Sequence, residues 1–252
     1  MQAEQRFQLV RTNKCIRGEP ESSKEDYDTV SVVLLRQLQR KIIETRKSAW
    51  FSQFCTVFLR VLDPRTSSTG MRFIGLGTGS LSREDSLRQV AFLISLLQIV
   101  SLEVAPLPVS CECFDPLFSE CDARILSLFG VAVPMINLFG AYRVPEGSWL
   151  VAFMPHCGRS LYHNLLVGCW NSLSHLVLIG NDLTKYNFKR GKKKCAVDCV
   201  QPAILVHQPV VSSMKKNDNA FSDLCLSTFH LPTNFKTQPI SLKLLSPTAI
   251  EC

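Results

Sequence analysis

MRFIGLGTGSLSREDSLRQVAFLISLLQIV, from Met71 to Val100, changes period halfway. Its first residues form a short apolar run of strand length. Three glycines at alternate positions follow, Gly75, Gly77 and Gly79, and then apolar residues recur at helical spacing. Glycine tolerates positive φ and close backbone approach, so the reading is strand, tight turn, helix. Ser82 is the expected N-cap, with Glu84 and Asp85 in the first turn, where carboxylates favour the positive helix end.

The same alternation continues downstream. VSCECF reads as a second strand and PLFSECDARILSLFG as a helix ended by Gly130. VAVPMINL is a short third strand, which Pro134 places at an edge or ends early. SWLVAFMPH is a fourth strand, SLYHNLLVGCW a helix and SHLVLIGN a fifth strand. Near-continuous apolar runs such as WLVAFM suit strands buried on both faces. The expected architecture is a three-layer α/β domain with a mainly parallel sheet. QPAILVHQPVV is interrupted by Pro202 and Pro209, and AFSDLCLSTFHL is a last strand or a loop leading into one.

Upstream, Val30, Val33, Leu34, Leu38 and Ile42 recur at helical spacing. SAWFSQFCTVFLRVL continues as a second amphipathic helix, whose Trp50, Phe51, Phe54 and Phe58 are expected to pack on the main body. The expected organisation is a flexible tail over 1–26, a helical segment and linker over 27–69, the α/β domain over 70–231, and a loose tail over 232–252.

Composition narrows the class. The chain has 252 residues, 46% hydrophobic and 19% charged, which suits a sizeable core and excludes a disordered chain. The net charge of +7 is concentrated in KYNFKRGKKKC and RQLQRKIIETRK. A nucleic-acid binder more often spreads basic and aromatic residues over one face, so no such partner is expected. The basic run Lys189–Lys194 reads as a solvated loop, with an import signal as its alternative. The 11 cysteines are odd in number and irregular in spacing, and the first residues lack a secretory apolar core. Reduced thiols in the cytoplasm, or in the nucleus, are the expectation. VAFLISLLQIVSL is too short for a membrane span, is interrupted by Gln98 and is followed by Glu103. A buried helix, and no membrane partner, is expected.

Candidate chemistry collects at strand ends. The G-x-G-x-G spacing is not the dinucleotide fingerprint, because Ser80 stands where the third glycine would fall. It is nearer to the first motif of Rossmann-like methyltransferases that use S-adenosylmethionine. In that reading Gly75, Gly77 and Gly79 hold the cofactor and Asp115, with Glu112 as alternative, binds its ribose. The other reading is a turn whose glycines let the helix pack closely. His156 and Cys157 follow the fourth strand, where ligands bind in open α/β sheets. His156 is the candidate base, and Cys157, near a helix start, a candidate thiolate. The alternative is that His156 bonds a neighbouring loop and Cys157 is buried. Asn181 and Asp182 end the fifth strand and face the same crevice, or cap their own loop. No metal site is expected, because Cys111-x-Cys113 and Cys195-x3-Cys199 lack zinc spacing. Haem ligation by His156, His163, Cys157 or Cys169 is a further reading that the spacing does not require.

The order of motifs GLGTGS, RQVAFL, FDPLFSE, MPHCGRSLYHNLLVGCW, LIGNDL and AFSDLCLSTF resembles the sensitivity-to-red-light-reduced family, which carries the SRR-like domain. HCGRSLYHNLL, followed by CW and IGN, is the most specific part. The chain departs from the family pattern at Cys169, Asp182, Leu183, Ser222 and Ser227. The resemblance implies a Rossmann-like domain in a regulatory protein of the cytoplasm or nucleus. Members are linked to circadian-clock expression, to light signalling in plants and to haem biosynthesis in animals. It implies no enzymatic assignment. The expected function is regulatory, with unidentified protein partners and a small ligand at the strand ends. A methyltransferase-like enzyme and a haem or metal sensor built on His156 and Cys157 are the alternatives.

Overall fold

The computed structural model describes residues 24–62, 68–186, 195–210 and 219–230. The expected tails, the linker at 63–67 and the Lys189–Lys194 run lie wholly or largely outside these residues.

The strand–turn–helix reading holds. β1 (Gly70–Leu76) leads through the glycines into α3 (Glu84–Glu103). β2 (Val109–Phe114), α4 (Glu120–Leu128) and β3 (Val131–Ala132) follow, then β4 (Ser148–Met154), α5 (Arg159–Gly168) and β5 (Leu176–Asn181). α6 (Ala196–Val200), β6 (Ile204–Pro209) and β7 (Leu224–Phe229) complete the order, and α1 (Lys24–Lys47) and α2 (Ala49–Val61) precede it. The seven-stranded sheet runs β3-β2-β1-β4-β5-β7-β6. Every pair from β3 to β5 is parallel, while β7 is antiparallel to both β5 and β6. β3 is the two-residue edge strand that Pro134 announced.

Alternation along the central strands builds two cores. Phe73, Val151, Phe153, Val177 and Ile179 face one side, packed with α1 to α4. Ile74, Leu150, Ala152, Met154, Leu176 and Leu178 face the other, packed with α5 and α6. This is the expected three-layer arrangement, with both sheet faces buried.

The N-terminal helices belong to the first of these cores. Phe51, Phe54 and Phe58 are buried. Phe54 meets Phe92 of α3 edge-on at 5.2 Å, and Trp50 stacks on Phe92 at 6.0 Å. On α1, Leu38 and Ile42 are buried, but Val30 and Val33 are exposed. The apolar period thus runs beyond the face that α1 buries. α1 also opens at Lys24, ahead of the expected start at Tyr27.

α3 has 20 residues, longer than its apolar run, and by length and composition it could cross a membrane. Val90 through Leu97 are buried in the first core, which fits the expected buried helix. Its N-cap is Arg83 and not Ser82. The Ser82 hydroxyl instead lies 3.1 Å from that of Ser80.

Candidate functional site

The strand order reverses between β1 and β4, and at such a switch point the carboxyl ends of the strands open a crevice. Gly75, Gly77, Gly79, Asp115, His156, Cys157, Asn181 and Asp182 lie at or near that edge.

At the end of β1, Gly77 and Gly79 have φ of +73° and +74°, as the turn reading requires. The loop amides are used by the chain's own carboxylates. Gly79 N–H donates to Asp115 Oδ2 at 2.9 Å, and Leu81 N–H donates to Asp122 Oδ1 at 3.3 Å. The other Asp115 oxygen accepts from Leu117 N at 2.9 Å. Asp122 Oδ2 accepts from Ser80 Oγ and from Ser119 N, and Ser119 Oγ accepts in return from Asp122 N. Two donors that a phosphate would seek, the Gly79 and Leu81 amides, are thus engaged, and both Asp115 oxygens have partners other than a ribose. The glycines face packed protein. A Cβ on Gly75 would lie 2.7 Å from Cys113 Sγ, one on Gly77 2.7 Å from Cys157 Sγ, and one on Gly79 2.6 Å from Ser86 Oγ. Glu112, the alternative acid, is paired with Arg72 at 2.9 Å.

At the end of β4, His156 is exposed and adopts φ of +53°, uncommon for a side chain with a Cβ. Asn181 holds it there. Asn181 Oδ1 accepts from His156 N at 3.0 Å, while its Nδ2 donates to Cys157 O at 3.3 Å and to the Tyr186 hydroxyl at 2.9 Å. The imidazole reaches the loop before β7, with Nε2 3.3 Å from Ala220 O. A carbonyl only accepts, so Nε2 carries the proton. Gln89 of α3 donates to the same carbonyl at 2.8 Å.

Cys157 is buried, and its thiol donates to Leu76 O at 3.4 Å. Burial pushes its pKa up to about 12, and the Asp115 charge adds to the effect. The helix start does not overcome desolvation, so the activated-thiolate reading fails. Cys157 therefore destabilises the fold at high pH. Its folded pKa lies above the ordinary 9.0, so its contribution is complete below about pH 9 and is lost as pH rises toward 12. Between pH 9 and 10 this thiol alone removes about 1 kcal/mol, which denaturant melts across that range will register.

At the end of β5, Asp182 caps its own turn, accepting from Thr184 N at 3.0 Å. Its amide donates to Asp223 O at 3.2 Å. The structure thus joins Gly77, His156, Cys157 and Asn181 in one set of contacts. Asp115 pairs with Gly79, Asp122 holds the neighbouring Ser80 and Leu81, and Asp182 turns away to its own loop. Neither Asp115 nor Asp182 has a described hydrogen bond to His156.

Sequence reasoning missed three contributors. Asp122 was readable as the fourth residue of a Ser119-x-x-Asp122 capping box. Tyr162 and Gln89 gave no such signal. The Tyr162 hydroxyl, fully buried on α5, donates to Met154 O at 2.5 Å and accepts from Asn181 N at 2.9 Å. Gly180 makes room for it, because a Cβ there would lie 2.7 Å from that hydroxyl. Of the other haem candidates, Cys169 is buried with its pKa pushed up to about 12, and His163 Nδ1 accepts from Ala196 N at 2.9 Å. No group of three or more His, Cys, Asp or Glu among the described residues is placed to hold a metal ion.

The SRR1-like protein of Mus musculus is 35% identical over 120 residues, 46% of this chain and 46% of that protein. Protein SENSITIVITY TO RED LIGHT REDUCED 1 of Arabidopsis thaliana is 27% identical over 209 residues, 77% of this chain and 74% of that protein. An SRR1-like protein of Drosophila melanogaster is 25% identical over 166 residues, 63% and 55% of the two chains. The matched stretch therefore spans less than half of the mouse relative and about half of the fly one. No solved structure matches the chain. The family model described as the SRR1 domain matches residues 34–228, a span that takes in most of α1 and all seven strands up to Thr228. The glycine turn, the HCGRSLYHNLL helix start and the IGN strand end all fall inside that span, and the chain belongs to the SRR1 domain family.

Proposed function

We propose that this chain is a regulatory protein of the cytoplasm or nucleus that acts in circadian-clock gene expression and in the control of haem biosynthesis. In this reading the strand-end edge around His156 is a recognition face for a protein partner or small ligand, and no bond is made or broken there. The observation that carries it is the state of the candidate catalytic groups. The buried Cys157 thiol is held protonated, and the His156 imidazole is tied to a loop carbonyl. Two amides of the glycine loop, those of Gly79 and Leu81, are occupied by Asp115 and Asp122. The plant relative's name, which refers to sensitivity to red light, fits a signalling role.

The test is removal and restoration. Cells depleted of this protein should show damped clock-transcript rhythm and altered haem content, and the intact chain should restore both. Unchanged rhythm and haem content after complete depletion would overturn the proposal.

A second reading, a methyltransferase-like enzyme, is favoured by the sheet. The reversed β7 between β5 and β6, together with a glycine turn after β1, is an arrangement of Rossmann-like methyltransferases. Calorimetric titration with S-adenosylmethionine separates the two. The regulatory reading expects no binding heat, and micromolar binding would select the enzyme.

A further inference from the structure

The described cysteines differ in environment. Burial pushes Cys55 up to about 11 and Cys113, Cys157 and Cys169 up to about 12. Cys195 is different. It is half-exposed, and it stands beside a cluster of polar groups that α5 presents to the start of α6.

Arg159 and His163 lie one turn apart on α5 and face the same neighbour. Arg159 Nε donates to Cys195 Sγ at 3.2 Å. The far end of the same guanidinium is ion-paired with Asp198. Asp198 Oδ2 in turn accepts from Cys195 N at 2.9 Å, which fixes the cysteine backbone. His163 makes a hydrogen bond with the Cys195 side chain, and its Nδ1 accepts from Ala196 N at 2.9 Å. The sulfur is thus held between an imidazole and a permanent cation, and the carboxylate that would oppose its ionisation is largely neutralised by that same cation. Desolvation raises its pKa, but the bonds from His163 and Arg159 outweigh it and the net direction is downward.

We propose that Cys195 is an oxidisable thiolate, positioned by Arg159, His163 and Asp198, whose substrate is a small hydroperoxide. The thiolate sulfur attacks the terminal oxygen of ROOH. An S–O bond forms as the O–O bond breaks, and the alkoxide leaving group takes a proton to depart as ROH. The sulfur loses two electrons to become a sulfenic acid, and the peroxide is reduced by the same two. The product no longer presents a full negative charge to Arg159, so oxidation weakens a contact that joins α5 to α6. The proposal stands on the contacts between α5 and α6 and does not depend on the reading of the strand-end edge.

The test is rate of modification on the intact chain. Iodoacetamide at pH 7, followed by peptide mass spectrometry, should label Cys195 about tenfold or more faster than the half-exposed Cys121, whose thiol instead meets Ser31 Oγ at 3.1 Å. Arg159→Met should slow Cys195 about tenfold, the effect of roughly one pH unit on thiolate fraction. Arg159→Lys keeps the charge and should retain most of the rate, and thermal melts of both variants report whether the fold is kept. Dilute hydrogen peroxide with dimedone should then trap a sulfenic adduct at Cys195 that Arg159→Met suppresses. Equal labelling of Cys195 and Cys121, or an Arg159→Met chain that folds and labels at the native rate, would overturn the proposal. So would absence of the dimedone adduct in the intact chain.

Discussion

Replacing Gly168 with alanine will destabilise the fold by about 3 kcal/mol, the upper end of what overpacking ordinarily costs. Gly168 ends α5, and a Cβ built on it would lie 2.0 Å from the carbonyl oxygen of Tyr142 and 3.1 Å from the carbonyl carbon. The obstacle is backbone, which cannot rotate aside as a side-chain tip can. Nor is that backbone loose. Tyr142 is buried, its amide donates to Gly140 O at 2.8 Å, and its carbonyl accepts the Cys169 thiol at 3.5 Å. A chain of this size shifts its melting temperature by about 2–4 °C per kcal/mol, so the expected fall is about 6–12 °C. Gly158→Ala at the other end of the same helix is the control. It meets nothing within 4 Å, and as an N-cap change it costs under about 1 kcal/mol. Equal melting of the two variants would show that the 140–142 loop yields freely.

That helix also shows what the sequence did and did not disclose. The layers were legible because burial on both faces leaves unbroken apolar runs, as in WLVAFM, and because glycines punctuate them. The reversal of β7 was not, since no period distinguishes a strand's direction and the order depends on chain paths through segments with weak signals. GRSLYHNLLVGCW was legible as a motif but not as a set of tasks. Arg159 reaches Asp198, Tyr162 ties β4 to β5, and His163 accepts from Ala196. Asn164 donates to Phe139 O at 2.9 Å, and Gly168 admits the Tyr142 carbonyl. One helix thus fastens several connections, each remote in sequence. Partners of this kind come from tertiary placement, and local spacing carries no trace of them. The departure at Cys169 keeps to the pattern, because its thiol serves the same loop.

The candidate site was legible as a location and less so as chemistry. Glycines, His156, Cys157 and Asn181 were placed at strand ends by pattern alone, and four of the named residues do meet there. What pattern could not supply was which groups satisfy one another. Asp115 had been read as a ligand for a ribose, yet its described bonds go to Gly79 and Leu117. A strand-end acid and a glycine turn look the same in sequence whether they hold a cofactor or each other.

Asp122→Ala tests that mutual satisfaction, with an expected loss of about 4 kcal/mol. The carboxylate is 1% exposed and accepts from Ser80 Oγ, Leu81 N and Ser119 N. Truncation leaves these donors without their acceptor, at about 1–3 kcal/mol for each one that stays buried, partly relieved where water enters. It also takes a negative charge from beside the start of α3 and from the first turn of α4, where the helix ends favour one. Asp122→Asn should lose about half as much, because one oxygen and the shape of the capping box survive. The measurement is denaturant unfolding, in which the midpoint should fall while the slope holds steady. Asp182→Ala serves as the comparison, since that residue caps only a short surface turn and should cost about 1 kcal/mol or less. A loss in Asp122→Ala no larger than in Asp182→Ala would mean that the glycine-turn donors find other partners readily. The turn would then be open to an external anion after all, and the argument for a non-catalytic edge would fail at its central point.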